Sequence, residues 1–230
     1  MQLSNLLKTI LIIAISSSFL AGCGTSSSGG STSAPSAETP KTEPPFARVE
    51  PETYQTEIVV TTAGVVERFL AVRDGKKWRI DTGYGGARPV TSLGTDKSYV
   101  LSNASKIFSD YDPGHGFDDR SGMIEEITRG MLNKAERAVY EKLGSEVGVT
   151  KYKMWGEAGK NLETIFSFDE KSGLPVKMEV FKNGQGAGPV DVTVELKDFK
   201  SDVDQTLFVI PKDFKKVPLE EMKKVLIAAP

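Results

Sequence analysis

Beyond the first fifty residues, apolar and polar residues alternate in short runs, and this pattern predicts β-strands. In one of the clearest runs, Val192, Val194 and Leu196 share one face of a strand and the residues between them occupy the other. Turn residues such as Asp74-Gly75 separate neighbouring runs, which predicts antiparallel hairpins. The predicted strands are 54–63, 65–73, 77–81, 90–93, 98–101, 106–111, 152–157, 163–169, 175–182 and 190–199.

Two segments have helical spacing instead. Between residues 121 and 143 apolar residues recur every three or four positions, which predicts one long amphipathic helix. A shorter helix is predicted at 219–227, because Pro218 precedes it and two glutamates fall in its first turn, where the helix dipole favours carboxylates. The apolar stripe of the long helix consists of Ile124, Ile127, Met131, Leu132, Ala135, Ala138 and Val139.

Together these elements predict a mainly β domain of the α+β class. About ten antiparallel strands and one amphipathic helix favour an unclosed barrel, or half-barrel, whose concave apolar face is covered by the long helix. The alternative is a β-sandwich in which the helix is an excursion, and the periodicity fits both arrangements.

The first 23 residues have the pattern of a cleaved export signal. Lys8 supplies a positive start, an apolar segment ends at Leu20, and small residues precede Cys23, the single cysteine of the chain. The sequence Leu20-Ala21-Gly22-Cys23 resembles a bacterial lipobox, which implies cleavage before Cys23 and acylation of its thiol. The alternative is a membrane-spanning anchor, but residues 6–20 are shorter than the about 20 apolar residues that a spanning helix needs.

This interpretation divides the chain into a signal peptide at 1–22, a lipidated cysteine with a disordered tether at 23–47, and a folded domain at 48–230. The tether is rich in Ser, Thr, Gly and Pro and cannot bury enough apolar surface to fold. Acyl chains on Cys23 would anchor the protein to a membrane of the bacterial cell envelope. Gly24, directly after the acylated residue, favours the outer membrane, with the domain facing the periplasm.

The net charge argues against some partners. The 29 basic residues include Lys8, so the chain from Cys23 onward has one fewer against 31 acidic residues and a net charge of −3. Because this charge is small and spread along the chain, neither a nucleic acid nor an anionic bilayer surface is an expected electrostatic partner.

Two carboxy-terminal stretches resemble a known superfamily. Residues 166–179 read FSFDEKSGLPVKME and residues 198–217 read DFKSDVDQTLFVIPKDFKKV. A strand ending in Asp-x-x-Ser-Gly-Leu-Pro, followed by Leu-Phe-x-x-Pro-x-x-Phe, resembles the LolA/LolB-like lipoprotein carriers. The resemblance implies an unclosed antiparallel barrel with a helical lid and a cavity for acyl chains. With Cys23 the chain is more similar to the membrane-bound receptors of this superfamily than to its soluble carriers.

The sequence lacks the signatures of catalysis. It has no Gly-x-Ser-x-Gly elbow, and its one cysteine is assigned to lipidation, so we expect neither an enzyme nor a cofactor. The acidic segment 110–119 could be a Ca²⁺ loop or a turn that caps the following helix. The Gly and Glu that a Ca²⁺ loop needs at its sixth and twelfth positions are replaced by His115 and Ser121, which favours the turn. No metal site is therefore predicted.

The remaining candidates are apolar residues predicted to face inward. If the sheet and helix leave a cavity between them, a lipid or the acyl chain of a lipoprotein is the expected ligand. One alternative is a solid-cored interaction or sensing module that binds an envelope protein through an exposed apolar patch. Another is a Ca²⁺ binder that uses Asp112. The candidate lining residues are Ile58, Val60, Leu70, Trp78, Ile80, Ile127, Met131, Met178, Val180, Val192 and Val194.

Overall fold

The structure, a computed structural model, describes residues 50–112, 121–133, 138–156, 159–181 and 188–227. These residues form α1 (Ser121–Leu132), α2 (Leu219–Ile227), a 3-10 turn (Gln205–Phe208) and twelve strands. The strands are β1 (Thr53–Thr62), β2 (Val65–Asp74), β3 (Lys77–Thr82), β4 (Val90–Gly94), β5 (Ser98–Ser102), β6 (Ile107–Tyr111), β7 (Ala138–Glu146), β8 (Val149–Gly156), β9 (Gly159–Asp169), β10 (Pro175–Phe181), β11 (Val190–Lys200) and β12 (Lys215–Lys216).

All of these strands belong to one sheet, in the order β12-β6-β5-β4-β3-β2-β1-β11-β10-β9-β8-β7. Neighbouring strands are antiparallel, except that the short β12 runs parallel to β6. The sheet is unclosed, because β12 and β7 stand at opposite ends of this order. The predicted fold class, mainly β with an open half-barrel and a helix against it, is confirmed.

Helix α1 packs on one face of the sheet, which we call the helix face and define by Ile58, Val60 and Phe69. Successive residues of a strand point to opposite faces, so the alternating burial along β1 places Ile58 and Val60 on the same side. The helical spacing of its apolar residues gives α1 a single face to bury. Its buried residues in this core are Ile124, Ile127, Met131 and Leu132.

The opposite, outer face carries a second core. The chain after β11 crosses this face and buries Val203 and Phe208 against it. The central strands are therefore covered on both faces, which explains why residues 69–72 of β2 are all buried. The buried members of this core are Leu70, Val72, Leu93, Leu101, Val203 and Phe208.

An ion pair lies on the outer face beside the crossing segment. Arg79 donates a hydrogen bond to each carboxylate oxygen of Asp81, from Nε to Oδ1 at 2.9 Å and from Nη2 to Oδ2 at 3.0 Å. The Thr91 hydroxyl donates to Asp81 Oδ1 at 2.5 Å, and Arg79 Nη1 donates to the Leu207 carbonyl oxygen at 2.9 Å. These bonds satisfy a carboxylate that is only 5% exposed and fix the 3-10 turn to β3.

The carboxy-terminal segment then passes around the β6 edge to the helix face. Lys215 N donates to the Lys106 carbonyl and Val217 N to the Phe108 carbonyl, both at 2.9 Å, which forms the parallel β12–β6 pair. Helix α2 buries Met222 against Val100 of β5. The predicted helix at 219–227 is confirmed, with both glutamates in its first turn.

The predicted helix 121–143 was wrong in its second half. Helix α1 ends at Leu132, and residues 138–146 form the end strand β7, which pairs with β8. The apolar stripe of the prediction continued through Ala138 and Val139, but backbone pairing with β8 decides their conformation. The predicted count of ten strands also omitted the two-residue β12, which is too short to have a periodicity.

A polar junction connects the start of the domain to the end of α1. Glu50 N donates to Asn133 Oδ1 at 2.8 Å, directly after α1. The Glu50 carboxylate accepts the Tyr54 hydroxyl at 2.6 Å and pairs with Arg73 Nη1 at 2.5 Å. Burial, and then the hydrogen bond to Glu50, raises the pKa of Tyr54 above its ordinary value. Tyr54 therefore stays neutral in the fold at pH values where an exposed phenol ionises.

Replacing Tyr54 with phenylalanine should remove an alkaline loss of stability. The folded protein holds the Tyr54 proton and the unfolded chain releases it above pH about 10. The stabilisation is therefore complete below pH 10 and falls by about 1.4 kcal/mol per pH unit above it. Urea unfolding at pH 8 and pH 11 measures the difference between wild type and Y54F, which should shrink at the higher pH. The exposed Tyr84→Phe is the control, and a difference independent of pH would contradict the assignment.

Candidate functional site

Ten of the eleven predicted lining residues lie between the sheet and α1. Seven of them are buried: Ile58, Val60, Ile80, Ile127, Met131, Val192 and Val194. Trp78, Met178 and Val180 are only partly buried and pack against the same cluster.

Leu70 was predicted on this face, but it lies on the outer face. It packs with Val72 and Phe208 in the second core. The prediction failed because four successive residues of β2 are all buried. Without an alternation of buried and exposed residues, the sequence does not show which face of the strand each side chain occupies. Its neighbours Phe69 and Ala71 occupy the helix face instead.

The register of the sheet aligns a row of side chains across four strands of the helix face. Val192 on β11 faces Val180 on β10, Val180 faces Thr164 on β9, and Thr164 faces Met154 on β8. With strands about 4.8 Å apart, this row is roughly 14 Å long. Apart from the buried Thr164 the row is apolar, and its members Met154 and Val180 are only partly buried.

Aromatic rings line the neighbouring row. Met178 faces Phe166, and Phe166 faces Tyr152 across the next strand. Phe168 stacks with Phe166 at 6.0 Å between ring centroids and meets Tyr152 edge-on at 5.5 Å. Burial also raises the pKa of Tyr152 above its ordinary value. The two rows together form an uncharged apolar wall beside α1.

Two methionines next to this surface, one on the sheet and one on α1, were not among the predicted lining residues. Met154 lies on β8 and Met123 on α1, and both are partly buried against the core. Both lie inside a predicted helix or strand, but the sequence analysis did not say which face of that element each side chain occupies. The available signal was strand alternation, since Tyr152 and Met154 are two residues apart and share a face. Flexible thioether side chains can adapt to ligands of different shape.

Trp78 is positioned by a close approach to Gly94. The two residues face each other across β3 and β4, and the indole ring occupies the space where a Cβ at position 94 would lie. Any side chain at residue 94 would therefore displace the indole. This explains why Trp78 can lie flat against the sheet at the border of the core.

Two threonines on the helix face of β1 differ in their hydrogen bonding. The Thr56 hydroxyl donates to the Lys197 carbonyl oxygen at 2.9 Å. Thr62 is 3% exposed, and its Oγ1 is the one buried side-chain oxygen or nitrogen of the described residues that has no hydrogen-bond partner. A buried hydroxyl without a partner destabilises a fold by about 1–3 kcal/mol.

Several predictions concern residues outside the described part of the chain. Cys23, the predicted tether and the predicted signal segment lie there, as do residues 113–119 of the acidic segment. Asp110 at the start of that segment is described, and it pairs with Lys216 Nζ at 2.7 Å. Neither α1 nor α2 has the length and apolar composition that crossing a bilayer requires.

No protein-family model and no curated protein matches this chain. An uncharacterized conserved protein from Thermus thermophilus is 13% identical, with a TM-score of 0.42 over 73% of this chain and 91% of that chain. A chain of the MucA/MucB complex from Pseudomonas aeruginosa is 11% identical, with a TM-score of 0.40 over 72% of this chain and 58% of that chain. A domain from Vibrio parahaemolyticus, provisionally described as an outer membrane lipoprotein-sorting protein, is 11% identical, with a TM-score of 0.29 over 70% of this chain and 91% of that chain. All three scores are below 0.5, so these likenesses carry no argument about function.

Proposed function

We propose that the protein is a lipid-anchored component of the bacterial cell envelope that binds a lipid or an acyl chain on the helix face. The observation that carries this proposal is the apolar wall beside α1, whose residues Met154, Met178 and Val180 are only partly buried. The role is one of binding, as carrier or receptor, and involves no catalysis. Cys23 and the tether would hold the domain near the membrane that supplies the ligand.

The chemistry of this wall suits an acyl chain. Each methylene moved from water into an apolar environment contributes about 0.8 kcal/mol, so a long chain gains affinity without any charged contact. The opposite side of α1 is polar, with Arg129 Nη2 paired to Glu125 Oε1 at 2.6 Å in an exposed ion pair. Because α1 meets the sheet through apolar side chains, we propose that the ligand enters by a shift of α1 over the wall, with the end of the helix held at Asn133 by Glu50.

Mass spectrometry of the full chain purified under native conditions tests this proposal. Lipid or another acylated molecule should co-purify with wild type, and Met178→Lys should reduce its amount about tenfold, because a charge is poorly tolerated in an apolar contact. The matched control is Val66→Lys, at an exposed position of the same sheet, which should retain the ligand. Wild type without any bound acyl compound, or Met178→Lys that retains it, would reject the proposal.

A second candidate function is an interaction module for an envelope protein. Four exposed apolar residues lie at one end of the sheet, Val65, Val66, Tyr84 and Val190. Val65 pairs with the last residue of β1, Val190 begins β11, and Tyr84 N donates to the Arg68 carbonyl at 3.0 Å. Because Val65 and Val66 point to opposite faces, these residues surround this end of the sheet, and exposed apolar residues are typical of protein interfaces. In a pull-down from the envelope, Val66→Lys should lose the partner and Met178→Lys should retain it, the reverse of the lipid result.

A further inference from the structure

The unpartnered hydroxyl of Thr62 is placed at the end of the apolar row. Thr62 faces Val65 on β2 and Val192 on β11, and the row continues from Val192 through Val180 and Thr164 to Met154. A chain lying along this row would therefore bring one of its ends to Thr62. In the described part of the structure nothing accepts from or donates to this hydroxyl, although the residue is only 3% exposed.

The neighbouring charge limits what could bind there. Glu67 lies two residues from Val65 on β2, faces Val60, and so stands on the helix face near Thr62. A carboxylate or phosphate beside the hydroxyl would approach this acidic side chain and would also lose its hydration against the mostly apolar row, which disfavours both anions. An uncharged acceptor such as the carbonyl of an ester or amide is not repelled, and it can accept the hydrogen bond that Thr62 has to offer.

We infer that Thr62 is a polar anchor for a neutral acyl ester or amide, whose carbonyl oxygen accepts the Thr62 hydroxyl while its hydrocarbon chain lies along Val192, Val180 and Met154. This inference rests on the proposed function and specifies its ligand class. Thr62 lies next to Val65, which is 46% exposed at this end of the sheet. The ligand's carbonyl group can therefore stay close to solvent while its chain is buried.

Two lipids that differ at one functional group test the inference. Glyceryl monolaurate has an ester carbonyl, and dodecyl glyceryl ether has the same chain length and headgroup without it. Titration calorimetry on the full chain, held in solution by an amphipathic polymer, should show wild type binding the ester about tenfold more tightly than the ether. Thr62→Val preserves the shape of the side chain and should remove this preference by weakening only the ester.

Thr56→Val is the matched control. Thr56 lies on the same face of the same strand as Thr62, but its hydroxyl already donates to a backbone carbonyl. It should lower thermal stability and leave the tenfold preference intact. Thr62→Val should raise thermal stability, because it removes a buried polar group without a partner. Laurate at pH 8, which is anionic, should bind wild type more weakly than the ester.

The outcomes separate this inference from the proposed function. If wild type binds neither the ester nor the ether, both are wrong. If wild type binds both with equal affinity, or Thr62→Val keeps the preference for the ester, the anchor is wrong and the apolar site stands. If laurate binds as tightly as the ester, the restriction to neutral ligands is overturned.

Discussion

Asp81→Ala is expected to lower the free energy of unfolding by about 3 kcal/mol, one of the two largest effects we foresee. The substitution leaves the Arg79 guanidinium, whose side chain is 18% exposed, without its bidentate partner beneath the segment that crosses the outer face. It also deprives the Thr91 hydroxyl of its acceptor. Urea unfolding followed by circular dichroism measures the change.

Two further variants show whether charge burial is the cause. The double variant Arg79→Met with Asp81→Leu should recover most of the lost stability, because replacing both members of a buried pair by apolar residues is often neutral. Lys106→Ala breaks the exposed pair with Asp213 and should change the stability by less than about 1 kcal/mol. Equal effects of Asp81→Ala and Lys106→Ala would show that the Arg79–Asp81 pair does not support the outer face.

Phe168→Ala is expected to cost about 3–5 kcal/mol, because Phe168 is fully buried and truncation leaves a cavity among the rings of Phe166 and Tyr152. Thermal and urea unfolding measure the loss. Val209→Ala, at a residue that is 61% exposed, is the control and should change stability by less than about 0.5 kcal/mol.

The same variant also links stability to ligand binding. A cavity lined by apolar side chains stays dry and binds small apolar molecules. Glyceryl monolaurate should therefore stabilise Phe168→Ala at least as much as it stabilises wild type, if the apolar wall is the binding surface. A Phe168→Ala protein as stable as wild type would mean that the rings at this end of the sheet are not a packed core.

The junction at Glu50 lies where the predicted tether would join the domain. Residues 23–47 lead to Glu50, whose backbone N–H donates to Asn133 at the end of α1. The same residue binds Tyr54 and Arg73 on the first two strands. Glu50, the first described residue of the domain, is therefore bound to both the sheet and the end of the helix that covers it.

Strand alternation in the sequence was sufficient to predict most of the sheet. The runs containing Ile58 and Val60, and Val192 and Val194, have a period of two, and the structure places each pair on one face. The short helix after Pro218 was equally predictable, since its start signals are local. These features depend on residues a few positions apart, which the sequence displays directly.

What the sequence left open depends on contacts between distant segments. Ala138 and Val139 continue the helical stripe of α1, but they belong to β7, which pairs with β8. Leu70 is buried on the face opposite Ile58, where residues 203–214 cover the sheet. No local pattern records either contact. The alignment of Thr62 with Val192, Val180 and Met154 likewise follows from the register of β1, β11, β10, β9 and β8.

The sequence by itself therefore determined the class of the fold and the greater part of its elements, because alternation and capping act within single segments. Only the tertiary structure decided which face each strand buries and which side chains meet across the sheet. The physical reason is that the register and the covering segments are set by pairing and burial between residues far apart in the chain.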